Sequence, residues 1–168
     1  MSQQGDNAIA FAGLIPDKAR AVLDGWQDGE AHYYPLLVQF EDTDAGGIVY
    51  HANYLSFAER GRSGWLRLIG VSQGDNLYNE KLGFVVRRAC LDYLRPAKLG
   101  DEIVIETRLK TLGGARLVAD QLVRGITDGK KLEDGHIFAK VEVEIVMVNE
   151  KGRPVRFGSD LIDKMTNT

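Results

Sequence analysis

Residues 52–70, ANYLSFAERGRSGWLRLIG, decide the architecture. Tyr54, Phe57, Ala58, Gly61, Trp65 and Leu68 recur at intervals of three and four, which predicts one apolar helix face about four turns long over Ala52 to Ile69, stopped by Gly70. Gly61 and Gly64 each cost a helix roughly 1 kcal/mol relative to alanine. They are expected where another backbone passes close to the helix. Around this stretch the periodicity changes from 3.6 to 2. On its N-terminal side Tyr33 to Phe40 (YYPLLVQF) reads as a strand, with Pro35 placing it near an edge or a strand start. On its C-terminal side come Phe84 to Leu94, the alternating Ile103 to Lys110, Arg116 to Arg124 after a Gly113-Gly114 turn, and Ile137 to Val148 after Asp128-Gly129. In the last of these Ala139, Val141, Val143 and Ile145 face one way and Lys140, Glu142 and Glu144 the other.

One long helix and a meander of long strands, each apolar on one face, is an α+β layout. The most economical burial wraps an antiparallel sheet around the helix, which is the hot-dog architecture. Such a sheet leaves an edge strand with unpaired backbone groups, so a homodimer or homotetramer formed through strand edges is expected. Residues 1–31 stand apart as a polar extension in which Ala19, Val22, Leu23 and Trp26, with Pro16 ahead of them, predict a short helix; residues 32–168 form the domain. The tail from Asn149 is polar.

The 168 residues suit one domain, and a net charge of −3 excludes nucleic-acid binding by bulk positive charge. No apolar run approaches the ~20 residues that span a bilayer, and the first one, from Ile9, follows Asp6 rather than a basic stretch. A cytoplasmic protein is expected. The single cysteine, Cys90, allows no internal disulfide, and its strand-like neighbours predict a buried apolar role.

Glycine-rich phosphate loops of both standard spacings are absent, Gly61-Arg62-Ser63-Gly64 lacks the spacing of a nucleophile elbow, and His32, His51 and His136 have no metal-ligand spacing. No metal and no cofactor are expected. What remains is Glu41-Asp42-Thr43-Asp44-Ala45-Gly46-Gly47-Ile48-Val49-Tyr50-His51-Ala52-Asn53-Tyr54, carboxylates and two glycines directly ahead of a helix. A helix start offers unpaired N–H groups and a positive dipole end for a developing oxyanion. A carboxylate before it can attack a carbonyl or activate water. An acidic turn in which Asn53 or Asp44 merely caps the helix reads the residues equally well.

This loop, followed by Phe57-Ala58-Glu59-Arg60, resembles the signature of the hot-dog acyl-CoA thioesterases of the 4-hydroxybenzoyl-CoA thioesterase class, nearest the Tol–Pal-associated YbgC-type branch. The resemblance runs from about residue 33 to residue 150, through Phe84-Val85-Val86-Arg87 and Tyr93-Leu94-Arg95-Pro96-Ala97. It implies hydrolysis of an acyl-CoA thioester to a carboxylic acid and CoA, with Asp44 as nucleophile or general base and the His51 backbone N–H as oxyanion donor. Tyr50 and Asn53 would line the pocket. Glu59 is a second candidate carboxylate, though pairing with Arg62 or Arg60 is its commoner role. Arg116 would replace the phosphate-binding arginines that part of the class carries at the turn where this chain has Gly113-Gly114. Two other functions fit the architecture: a 3-hydroxyacyl thioester dehydratase, disfavoured by Tyr50-His51-Ala52-Asn53-Tyr54 in place of a His-Phe-Pro loop, and a non-catalytic acyl-binding or scaffold subunit of the Tol–Pal envelope system. An envelope complex or an acyl carrier protein is the partner these readings imply.

Overall fold

The computed structural model describes residues 23–126, 131 and 134–167. In chain order the elements are β1 (Trp26–Asp28), β2 (Ala31–Leu37), a 3-10 turn (Phe40–Asp42), α1 (Asn53–Leu68), α2 (Gln73–Tyr78), β3 (Leu82–Tyr93), β4 (Glu102–Gly113), β5 (Arg116–Gly125), β6 (Ile137–Asn149) and α3 (Ser159–Thr166). The six strands form one antiparallel sheet in the order β1-β2-β4-β5-β6-β3. The sheet wraps α1, the expected hot-dog arrangement.

Helix α1 forms where its apolar spacing puts it, and Gly70 ends it. Gly70 adopts φ +75°, its N–H donates to Arg67 O, and the Val71 N–H donates back to Leu66 O, so the last carbonyls are satisfied in a left-handed cap. Tyr54, Phe57, Ala58, Trp65 and Leu66 are buried against the sheet. The two helix glycines mark close approach, as expected, but to different things. A Cβ on Gly64 would lie 3.0 Å from Asp24 O and 2.7 Å from Tyr34 Cδ2. A Cβ on Gly61 would meet side chains of the sheet instead, 2.7 Å from Ile105 Cγ2.

Four features depart from the sequence reading. Strands β3 and β4 are not neighbours: β3 crosses to the far side of β6, so only β4-β5-β6 is a meander. Among the described residues the sheet begins at Trp26, with β1 pairing to β2 as Trp26↔Tyr33 through Asp28↔Ala31. Of the residues expected in the N-terminal helix, Leu23 is helical and Trp26 lies on a strand, while Ala19 and Val22 fall outside the described residues. The polar tail holds α3, whose Met165 is buried beside Phe157 in the core around Trp65 and Val143. An eight-residue helix with a short apolar stripe leaves little periodic signal.

Cys90 is exposed rather than buried. Strand β3 is the sheet edge beyond β6, and Cys90 stands opposite Glu142 on the face turned away from α1. An apolar run tells that a strand exists without telling which face each residue takes or whether both sides are covered. On that same outer face Glu106 is buried between Arg108, whose Nε donates at 2.8 Å, and Arg124, whose Nε donates at 2.6 Å.

Candidate active site

The loop ahead of α1 is a tight hairpin. Thr43 bridges Val49, the Asp44 N–H donates to Ile48 O at 2.9 Å, and the Gly47 N–H closes the turn on Asp44 O at 2.9 Å. Gly47 takes φ +74°, which asks for glycine at that position. The hairpin is fastened to the β3–β4 connection by the Val49 N–H on Ala97 O at 2.8 Å. Asp44 sits exposed at the turn, with Oδ1 accepting the Gly46 N–H at 2.7 Å. Neither Asp44 nor Asn53 caps α1: the N-cap is Ala52, without a side-chain bond. Asn53 is the first helical residue, and its Nδ2 donates to the Asp42 carbonyl at 3.1 Å, beside the Tyr50 N–H on the same oxygen at 2.8 Å. Asp42, which is buried, thus ties the two ends of the loop together.

This tie sets the direction of the helix start. The Asn53 N–H donates to Tyr50 O at 2.8 Å, which turns the Tyr50 carbonyl into the helix and the His51 N–H of the same peptide outward. Among the described residues the His51 N–H finds no acceptor. The His51 carbonyl accepts the Tyr93 hydroxyl at 3.0 Å. Tyr54 packs edge-on against Tyr93 with ring centroids 5.6 Å apart, and its hydroxyl accepts the Ala97 N–H at 3.0 Å. Burial pushes the Tyr54 phenol above its ordinary pKa, so it stays neutral. Beside this helix start lies a cleft of about 370 Å³ lined by Ile48, His51, Tyr54, Tyr93, Leu94 and Pro96. Tyr50 stacks obliquely on the His51 ring, centroids 4.4 Å apart, and is exposed.

The candidate residues do not all converge within the chain. Asp44 and His51 share the loop, yet Asp44 is not part of the cleft wall. Glu59 is elsewhere, two turns along α1, paired with Arg62 and receiving the Ser63 hydroxyl at 3.1 Å. It borders a separate cavity of about 40 Å³ walled by Trp65, Phe84, Val86 and Leu117. Arg116 opens β5 beyond Gly114 and lies 3.7 Å from Glu144. The hydrogen bond from Arg87 holds the Glu144 carboxyl below its ordinary pKa, with Arg116 adding to it. Among the described residues no three His, Cys, Asp or Glu side chains gather as metal ligands, and no helix is long and apolar enough to cross a membrane. Sequence reasoning did not single out Tyr93, Tyr54 or the Asp42 carbonyl as parts of this site. Tyr93 lies in the Tyr-Leu-Arg-Pro-Ala segment that carried the resemblance, but only the fold brings it onto His51.

Comparison with known proteins bears on this arrangement. Residues 38–165 match the family model described as the thioesterase-like superfamily. The chain is 35% identical over 129 residues to the acyl-CoA thioesterase YbgC of Haemophilus influenzae, covering 76% of this chain and 89% of that protein. Among solved structures it is similar to a probable thioesterase from Bartonella henselae, at 36% identity and TM-score 0.64, over 77% of this chain and all of the other. A 4-hydroxybenzoyl-CoA thioesterase complexed with 4-hydroxybenzoyl-CoA shares the fold, at TM-score 0.74 and 17% identity over 82% of this chain and all of the other. The chain belongs to the thioesterase-like superfamily, among the YbgC-type acyl-CoA thioesterases.

Proposed function

We propose that this protein hydrolyses an acyl-CoA thioester at the start of α1, with Asp44 as nucleophile or general base. The observation that carries the reading is the His51 N–H, aimed outward at a helix N-terminus with no acceptor among the described residues, beside a largely apolar cleft that Arg95 also lines. A donor so placed stabilises charge on a thioester oxygen as the tetrahedral intermediate forms. Asp44 takes a proton from the water that adds to the carbonyl carbon, so that C–S cleavage gives the acid directly, or adds to that carbon itself, so that C–S cleavage leaves a mixed anhydride on Asp44 which water then hydrolyses; in both routes CoA leaves as the thiolate and is protonated. Tyr50 and Asn53 border the site, Asn53 by holding the loop closed. Thiol release across short, long and aromatic acyl-CoAs tests the reading; a chain that releases thiol from none of them is not this enzyme.

The same site calls for a second copy. Strand β3 presents a twelve-residue edge, whereas β1 at the other end has only three residues. Val85, Val86 and Tyr93 on β3 are about half exposed. Antiparallel pairing of β3 with its copy would extend the sheet and cover them. The His51 cleft lies by Tyr93 at one end of β3 and the Glu59 cavity by Phe84 at the other, so such a pair sets one protomer's cleft beside its partner's cavity. Sedimentation at micromolar concentration is expected to give a homodimer or a larger even assembly; a monomer would remove this part of the reading. A cytoplasmic setting, and a link to the Tol–Pal envelope system, go with the YbgC-type resemblance.

Arg116 is the proposed contact for a CoA phosphate, supported by its exposed position at the start of β5 and its loose pairing with Glu144. Arg116→Ala is expected to raise KM about tenfold, the loss of one charge-assisted hydrogen bond, and to leave kcat near wild type. An unchanged KM assigns Arg116 to the surface charge ladder alone.

A further inference from the structure

Arg62 is a charged residue in an unexpected place. It lies on α1 one residue after Gly61, where the helix packs tightly on Ile105 of the sheet, and only 5% of it is exposed. Its Nη1 donates to Gln121 Oε1 at 2.7 Å. Gln121 is itself locked: its Nε2 donates to Ala58 O at 2.8 Å and to Thr107 Oγ1 at 2.9 Å. Gln121 and Thr107 are 1% and 3% exposed. The second terminal nitrogen, Nη2, reaches to Glu59 Oε2.

Stability does not call for this chain of contacts. A buried guanidinium loses its hydration, and well-packed apolar side chains in such places are commonly as stable. What the chain does achieve is geometric. One Glu59 oxygen takes Arg62 and the other lies 3.1 Å from Ser63 Oγ, whose hydroxyl also has Gln73 Oε1 at 3.2 Å, so Arg62 is the firm hold on the carboxylate. Its side chain remains 51% exposed and lines, with Gln73, the cavity walled by Trp65, Phe84, Val86 and Leu117. A carboxylate has about four acceptor positions, and two of these are used, so the outward ones stay available.

We propose that Arg62 is a positioning residue: from inside the core it holds the Glu59 carboxylate as a fixed acceptor for a hydrogen-bond donor of the bound thioester. The inference rests on the thioesterase reading and adds a second substrate contact to it, distant along α1 from the His51 amide. Glu59 touches substrate; Arg62 acts only through Glu59, and Gln121 acts only through Arg62.

The test separates binding from folding. Glu59→Ala and Arg62→Met are each expected to raise KM about tenfold, the scale of one hydrogen bond to a charged group, with kcat near wild type. In Glu59→Ala/Arg62→Met the KM is expected to match the single variants, because Arg62 has no carboxylate left to hold. Arg62→Lys, with one ammonium to serve both Gln121 and Glu59, is expected to fall between wild type and Arg62→Met. An Arg62→Met enzyme with unchanged KM and a reduced active fraction, or KM effects that multiply in the double variant, would overturn the proposal. If Arg62→Met does not fold, a wild-type KM in Arg62→Lys overturns it as well. A wild type that releases no thiol defeats the thioesterase reading and this inference together; an active wild type beside an unaltered Arg62→Met defeats this inference alone.

Discussion

Asp44→Asn is expected to lower acyl-CoA hydrolysis by at least about 10²-fold, the lower range for loss of a positioned proton acceptor, with a thermal midpoint close to wild type. The structural half of that expectation follows from what Asp44 does in the fold. Its Oδ1 accepts the Gly46 N–H across the turn, and an asparagine Oδ1 accepts the same bond in the same turn. The residue is exposed and does not cap α1, so no buried partner is orphaned by the change. What asparagine lacks is the ability to add to a thioester carbon or to take a proton from water. Stability and turnover therefore come apart in this variant, which they would not if Asp44 were only a turn former. Glu59→Gln is the comparison: it is expected to keep kcat near wild type and to act on KM, as a weakened substrate contact does. An active Asp44→Asn beside an inactive Glu59→Gln would move the chemistry onto α1 and end the assignment.

Glu106→Gln is expected to destabilise the protein by roughly 3 kcal/mol at neutral pH, the scale of removing one partner from a buried ion pair. Burial by itself raises the pKa of the Glu106 carboxyl, but the hydrogen bonds from Arg108 and Arg124 outweigh it and the net direction is down. The sign of the pH dependence follows. A carboxyl whose pKa is lower in the folded than in the unfolded chain contributes its stability fully above the unfolded value, about 4.3. That contribution is lost as pH falls through the folded value. The gap in urea midpoint between wild type and Glu106→Gln is thus expected to be constant from about pH 7 to about pH 5 and to close on further acidification. A gap that is absent at neutral pH, or of the same size in acid, would show that the ion pairs on this outer face contribute nothing net.

Much of this molecule is legible in its residues, and the parts that are not share a cause. Helix α1 could be placed to within a residue because sixteen residues with one apolar stripe repeat the same signal over four turns. Strands β4, β5 and β6 announced themselves by alternation, and the acidic loop before α1 by its composition and its likeness to a family signature. Short elements such as α2 and α3 carry too few repeats to stand out. Sequence also assigns no neighbours: the crossing of β3 to the far side of β6, and with it the exposure of Cys90, depends on pairing between segments some fifty residues apart. The site divides the same way. Asp44, His51, Tyr50 and Asn53 are contiguous, so one stretch of sequence proposes them together. That the His51 N–H points outward depends on Asn53 pairing with Tyr50, that its carbonyl is held depends on Tyr93, and that Arg62, the partner of Glu59, has a buried acceptor depends on Gln121 fifty-nine residues later. Local periodicity and motif chemistry are properties of a segment, and the sequence alone determined them; the direction of a donor and the partner of a buried charge are properties of packing, and only the tertiary structure decided those.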